Sequence, residues 1–194
     1  MKLKKLTSVL ILALSSLYFQ SCTCWVRTII PKEVKRNIRF CYNGEYSGLD
    51  AIIPINGFYK TVRNYTTWDN NLKKRVPRVD TVDMVFYPDG LFYKQYRWGN
   101  YKVFGDTIIT IQFSPPCGMS WGAWESKYKI NANNTVTYIA VRPLPGETKT
   151  IEKSNSKDGN EYQVKYSDAF FIQSDSLPSR EGCWLFKTSW FKCK

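Results

Sequence analysis

The side chains that could do chemistry in this 194-residue chain are defined first by a gap, because the chain contains no histidine. Acid–base work would therefore fall to carboxylates, tyrosines or lysines, and nucleophilic work to a serine or cysteine served by an unusual base. The one carboxylate grouping of interest is Asp80, Asp83, Asp89 and Asp106. Most of these sit at strand starts or turns, where aspartate is favoured because its carboxylate accepts from nearby backbone N–H groups. No phosphate-binding glycine loop or dinucleotide fingerprint accompanies them. These residues supply no catalytic set and imply no cofactor, so the chain reads as a non-enzyme. Metal binding is equally unsupported, since the cysteines lack the spacing of a zinc site and have no histidine partners.

Aromatic rings offer a different chemistry. Tyr93, Tyr96, Trp98, Tyr101, Trp121 and Trp124 exceed what one strand face needs, and such rings stack on sugars or line apolar cavities. Trp98, Tyr101, Trp121 and Trp124 are accordingly candidate contacts for a small apolar or glycan ligand; packing in a core or at a rim is the other use of the same rings. The cysteines point to export. Residues 1–21 have the layout of a secretory signal, with Lys2, Lys4 and Lys5 as its head, an apolar run over 6–17, and a short exit ending at Ser21. That run is too short to span a bilayer comfortably. Phe19-Gln20-Ser21-Cys22 resembles a bacterial lipobox with phenylalanine in place of the usual leucine, which makes Cys22 the expected lipidation site. In an oxidising compartment Cys41, Cys117, Cys183 and Cys193 become candidate disulfide partners, with Cys183 or Cys193 expected to bond to Cys41 or Cys117.

Without residues 1–21 and their three lysines, 25 Lys and Arg face 16 Asp and Glu, a net charge of +9. A basic surface favours an anionic partner such as a phosphorylated lipid, lipopolysaccharide or an acidic glycan. The densest cluster, Lys73-Lys74-Arg75, lies between Asn70-Asn71 and Pro77 and reads as a solvated loop tip. Nucleic acid is not an expected partner, because no basic helix, zinc module or aromatic–basic sheet motif is present.

The elements that must position these residues are strands. Residues 82–87 alternate with a period of two and run into Tyr87-Pro88-Asp89-Gly90, a turn in which Pro88 presets φ and Gly90 takes a positive φ. Residues 91–98 return, Gly99-Asn100 interrupts, 101–104 runs on, and Gly105-Asp106 turns the chain into 107–113. Further strands are expected from Phe58, over 124–130 and 135–142, around 148–153, at 162–166, at 170–173 and in a last run through Trp184, Phe186 and Trp190. Over 124–130, Glu125, Lys127 and Lys129 are expected to face water. One short helix over 31–36 precedes the strands, with Pro31 at its first position. The fold class is all-β: an antiparallel meander of nine or ten strands, enough to close a small barrel.

Phe86-Tyr87-Pro88-Asp89-Gly90, then Trp98-Gly99-Asn100-Tyr101 with Gly105-Asp106-Thr107-Ile108, is similar to phrases in the middle hairpins of Bacteroidetes lipocalin-like lipoproteins. Gly57-Phe58-Tyr59 likewise resembles the Gly-x-Trp lead into a lipocalin barrel, without the tryptophan. The likeness spans residues 56–142 and implies a fold and a secretion route. It divides the chain into a signal peptide (1–21), a lipid-anchored lead-in and linker (22–55) and a lipocalin-like barrel (56–194), in the cell envelope and at the outer membrane. Asp80-Thr81-Val82, Asp106-Thr107-Ile108 and Asp175-Ser176-Leu177 resemble the acceptor motif for O-glycosylation in that group, implying Thr81, Thr107 and Ser176 as acceptors. Two functions are then expected in order: a binding module holding an apolar or glycan ligand, or an interaction protein with a solid barrel that docks a partner or anionic lipopolysaccharide.

Overall fold

The computed structural model describes residues 30–114, 122–146, 149–150 and 165–193. A short helix α1 (Lys32–Asn37) is followed by a 3-10 turn (Leu49–Ala51) and ten strands. These are β1 (Gly57–Asp69), β2 (Lys74–Phe86), β3 (Leu91–Lys94), β4 (Arg97–Phe104), β5 (Thr107–Phe113), β6 (Ala123–Ile130), β7 (Val136–Pro143), β8 (Lys149–Thr150), β9 (Lys165–Tyr166) and β10 (Phe170–Gln173). All pair antiparallel in the order β10-β1-β2-β3-β4-β5-β6-β7-β8, with β9 also on β1. The fold is all-β and barrel-like, as the alternating hydrophobic pattern and the turn residues require. The sheet curls until its ends meet, because Val136 of β7 and Ala169, just before β10, exchange both backbone hydrogen bonds, at 2.9 and 2.8 Å.

Alternation gives the curled sheet two buried faces. Met84, Phe86, Phe92, Tyr101, Ile108 and Tyr128 point inward and fill the barrel. Val85, Leu91, Trp98, Ile111 and Phe113 point outward, and are buried only because both ends of the described chain wrap over them. The pairing of Cys41 with Cys193 joins those ends across 152 residues, and Tyr42 stacks on Phe191 beside it at 5.2 Å. Tyr42 also forms a parallel backbone bridge with Lys192 there, through Tyr42 N to Phe191 O and Cys193 N to Tyr42 O.

Several expectations change. Residues 30–55, expected as a linker, are part of the packed unit: Ile30 and Val34 join the outer cluster, while Leu49 and Ile53 plug one end of the barrel. The turn expected at Gly99-Asn100 lies instead at Gln95-Tyr96, both in the left-handed region at φ 47° and 66°. Gly99 is within β4 because a Cβ there would sit 1.9 Å from the Ile111 carbonyl oxygen, so close strand approach, not turning, is what requires glycine. Glu125 does not face water. It lies under the N-terminal segment, where Arg39 Nε (2.9 Å) and Arg142 Nη2 (3.1 Å) both bind its Oε2. Trp184 and Phe186 belong to a 3-10 turn (Trp184–Lys187) that caps the outer cluster, not to a strand.

Candidate functional site

The residues singled out for ligand contact do not share a site. Trp98 and Tyr101 are three positions apart on β4 and so project to opposite faces of the sheet. Trp98 is 6% exposed and packs on Tyr93 and Tyr87 in the outer cluster. Tyr101 is inside, its hydroxyl donating to the Tyr87 carbonyl at 2.8 Å and meeting Ser47 Oγ at 2.6 Å. Both are core residues. Trp124 faces the barrel interior at the end away from the Leu49 plug, with the Arg97 guanidinium 4.7 Å above its ring. Trp121, Cys22 and Cys117 lie outside the described residues. Of the remaining cysteines, Cys41 and Cys193 bond, whereas Cys183 is a buried free thiol. Its apolar surroundings push that thiol up to about 11, so it is an inert packing residue and not the bridge partner expected. Thr81 and Ser176 are exposed and Thr107 is half-buried, donating to Asp106 Oδ1 at 3.1 Å.

Beside Trp124 is a lysine that sequence reasoning missed. Lys94 ends β3 on the inner face and is 7% exposed. Its Nζ donates to the Tyr128 hydroxyl at 3.0 Å and lies 4.6, 5.5 and 5.7 Å from the ring centres of Tyr138, Tyr128 and Tyr166. Among the described residues no carboxylate forms an ion pair with it. Burial pulls the ammonium down to about 7, and the charges of Arg97 and Arg63 act in the same direction. The rings respond oppositely: burial holds Tyr128 well above its ordinary value and pushes Tyr138 up to about 12. The signal in the sequence was faint, since Phe92 and Lys94 continue the inward alternation that Met84 and Phe86 begin on the paired strand.

Two other features are built on the first hairpin and its neighbour. The Tyr87-Pro88-Asp89-Gly90 turn is a clamp: Asp89 Oδ2 accepts from Tyr42 Oη at 2.5 Å and pairs with Arg180. Tyr87 donates to the Pro178 carbonyl, and Ser47 N to the Pro88 carbonyl, so both chain ends are fastened at one turn. A groove of about 170 Å³ opens beside it, lined in part by Tyr42, Tyr46, Asp89 and Lys102.

The β1–β2 hairpin is longer than the sequence implied. Among the described residues, β1 has strand partners on its outer side up to Asn64, and β2 meets β3 from Met84. Among the described residues, the two strands pair only with each other from Tyr65↔Arg78 to Asp69↔Lys74. Those five rows make an arm about 17 Å long at the usual rise per residue. Lys73-Lys74-Arg75 belongs to this arm, with Lys74 and Arg75 already in β2. Asp69 Oδ1 accepts from Asn71 N and Leu72 N and shapes the tip. Trp68 and Leu72 on the arm, and Val79 one row below it, are 56, 58 and 68% exposed. Set against family models, curated proteins and solved structures, the chain finds no match in any of the three.

Proposed function

We propose that this is a lipid-anchored cell-envelope protein that works as an interaction scaffold: a solid barrel, tethered at the outer membrane through Cys22, whose basic exterior contacts an anionic envelope component. The observation that carries this reading is the filled interior. Tyr59, Phe86, Phe92 and Tyr128 are each at most 1% exposed, and Leu49 and Ile53 close one end behind them. A barrel packed in this way leaves its outer surface to do the work. No catalytic step, cofactor or metal enters the reading.

Two measurements test it. Replacing Cys22 with Ser should block processing and release the protein from membranes; a variant that still fractionates with membranes at the normal mature mass refutes the anchor. Protein isolated from its native envelope should carry no small molecule near one equivalent by mass spectrometry. A second reading, a small apolar or glycan ligand held at the open end of the barrel, is favoured by one specific observation, the grouping of Lys94, Arg97 and Trp124 on the inner face. One equivalent of a copurified ligand would replace the scaffold reading with that one.

A further inference from the structure

We propose that the β1–β2 arm is the docking surface and that its occupant is an anionic phospholipid leaflet, with Trp68 and Leu72 entering the interface and the surrounding lysines and arginines meeting the phosphates. The inference rests on the scaffold reading above and names its partner. Among the described residues no further strand lies beside this ribbon, and an isolated two-stranded ribbon gains little in water, so the large apolar side chains it leaves exposed need another reason. Trp68 and Arg75 are directly opposite in register, which puts an indole and a guanidinium side by side on one face. Val79 continues the same face, two rows past Pro77.

Charge selects the partner. Lys73, Lys74 and Arg78 are exposed around these side chains, as is Arg75, and among the described residues the carboxylate beside them is Asp69, 3.9 Å from Arg78. Tryptophan prefers the headgroup level of a bilayer, and clustered basic residues are attracted to an anionic leaflet. A protein strand adding to the arm is the less suited occupant. Pro77 can donate no ladder hydrogen bond, and lysine and proline on an edge discourage strand addition.

The test uses the chain from residue 22 onward carrying Cys22→Ser, so that no lipid contributes, with vesicles of phosphatidylcholine alone or with 30% phosphatidylglycerol. Cosedimentation in low salt should show binding to the anionic vesicles and little to the neutral ones, and salt should weaken it by screening. Each basic side chain near an anionic surface is worth roughly a five-fold gain in partitioning, so Lys73→Ser, Lys74→Ser and Arg75→Ser together should weaken binding about 100-fold. Trp68→Ser should weaken it further, and neither variant should shift the melting temperature, since the arm lies outside both cores. Parent and triple variant binding alike would overturn the arm as the docking surface while leaving the scaffold reading in place. Binding to lipopolysaccharide but not to the phospholipid vesicles would overturn the lipid assignment. Failure to bind either, or any other polyanion such as heparin, would overturn the proposal and the scaffold reading together.

Discussion

Replacing Lys94 with methionine should stabilise the protein near neutral pH, and the gain should fade as pH rises. The ammonium is held at about 7 in the fold against an ordinary value of 10.5. The unfolded chain therefore binds the proton more tightly. Above about 10.5 both states are neutral and no penalty exists; as pH falls the penalty grows, and it saturates below about 7. At about 1.4 kcal/mol per pH unit of difference, burial of this amine costs about 4 kcal/mol at pH 7. Methionine has nearly the same unbranched shape, but it forfeits the hydrogen bond to Tyr128, worth about 1 kcal/mol. The net expectation is a gain of about 2–3 kcal/mol at pH 7, falling to zero or slightly below by pH 10.5. Urea unfolding of both proteins at unit pH steps from 6 to 10 measures the difference directly. The buried tyrosines, whose raised values protect the fold below pH 10 and cease to do so above it, are common to both proteins and cancel. A difference that does not change with pH, or a Lys94→Met protein that is less stable at pH 7, refutes the reasoning.

Further consequences can be measured on the same footing. Loss of the Cys41–Cys193 bond by a double alanine substitution should cost about 3–5 kcal/mol, because the loop it closes is long; a melt unchanged by reduction would contradict this. Changing Gln95-Tyr96 to Asn-Gly should raise stability by about 0.5–1 kcal/mol in chemical unfolding, since both positions need positive φ. Phe86→Ala should cost about 3–5 kcal/mol through the cavity it leaves, and Gly99→Val should fail to reach a cooperative melt because of the Ile111 carbonyl; a mild effect of either would undo the packing described.

The sequence made the wall of the barrel legible because alternation and turn chemistry are local. Tyr87-Pro88-Asp89-Gly90 and Gly105-Asp106 announced their turns, and Gly90 and Gly105 do take positive φ. Gln95-Tyr96 hid because neither residue type favours that conformation, and Gly99 misled because its purpose is closeness to a neighbouring strand that only the fold supplies. The two faces were harder still. Val82, Met84 and Phe86, and likewise Ile111 and Phe113, follow the same two-residue alternation, yet the two sets serve separate clusters on opposite sides of the sheet. A period of two says which residues share a face but not which face is covered, and the cover here comes from residues distant in the chain. Asp89 looked like a turn aspartate and is one, since it accepts from Leu91 N at 3.3 Å. Its bonds to Tyr42 and Arg180 were invisible because they join three remote segments. Lys94 was overlooked for a related reason: a lysine at the end of a strand is normally solvated, and only the converging tyrosines of β6, β7 and β9 make it buried.

The covering of the outer face also sets an order in time. Strands β1 to β7 pair almost entirely with their sequence neighbours, contacts that form quickly as a chain emerges. Leu91, Ile111 and Phe113 nevertheless share only part of their cover, Ile30, Val34 and Tyr42, until Leu185 and Phe191 arrive to complete it. The nascent protein therefore passes through an interval with a finished barrel wall and an apolar flank open to its surroundings, the state most prone to aggregation. Cys41 waits through that interval for a partner 152 residues downstream, and Cys183 reaches the fold before Cys193 does. In the finished fold Cys183 is buried in that flank as a free thiol, while Cys41 is bonded to Cys193.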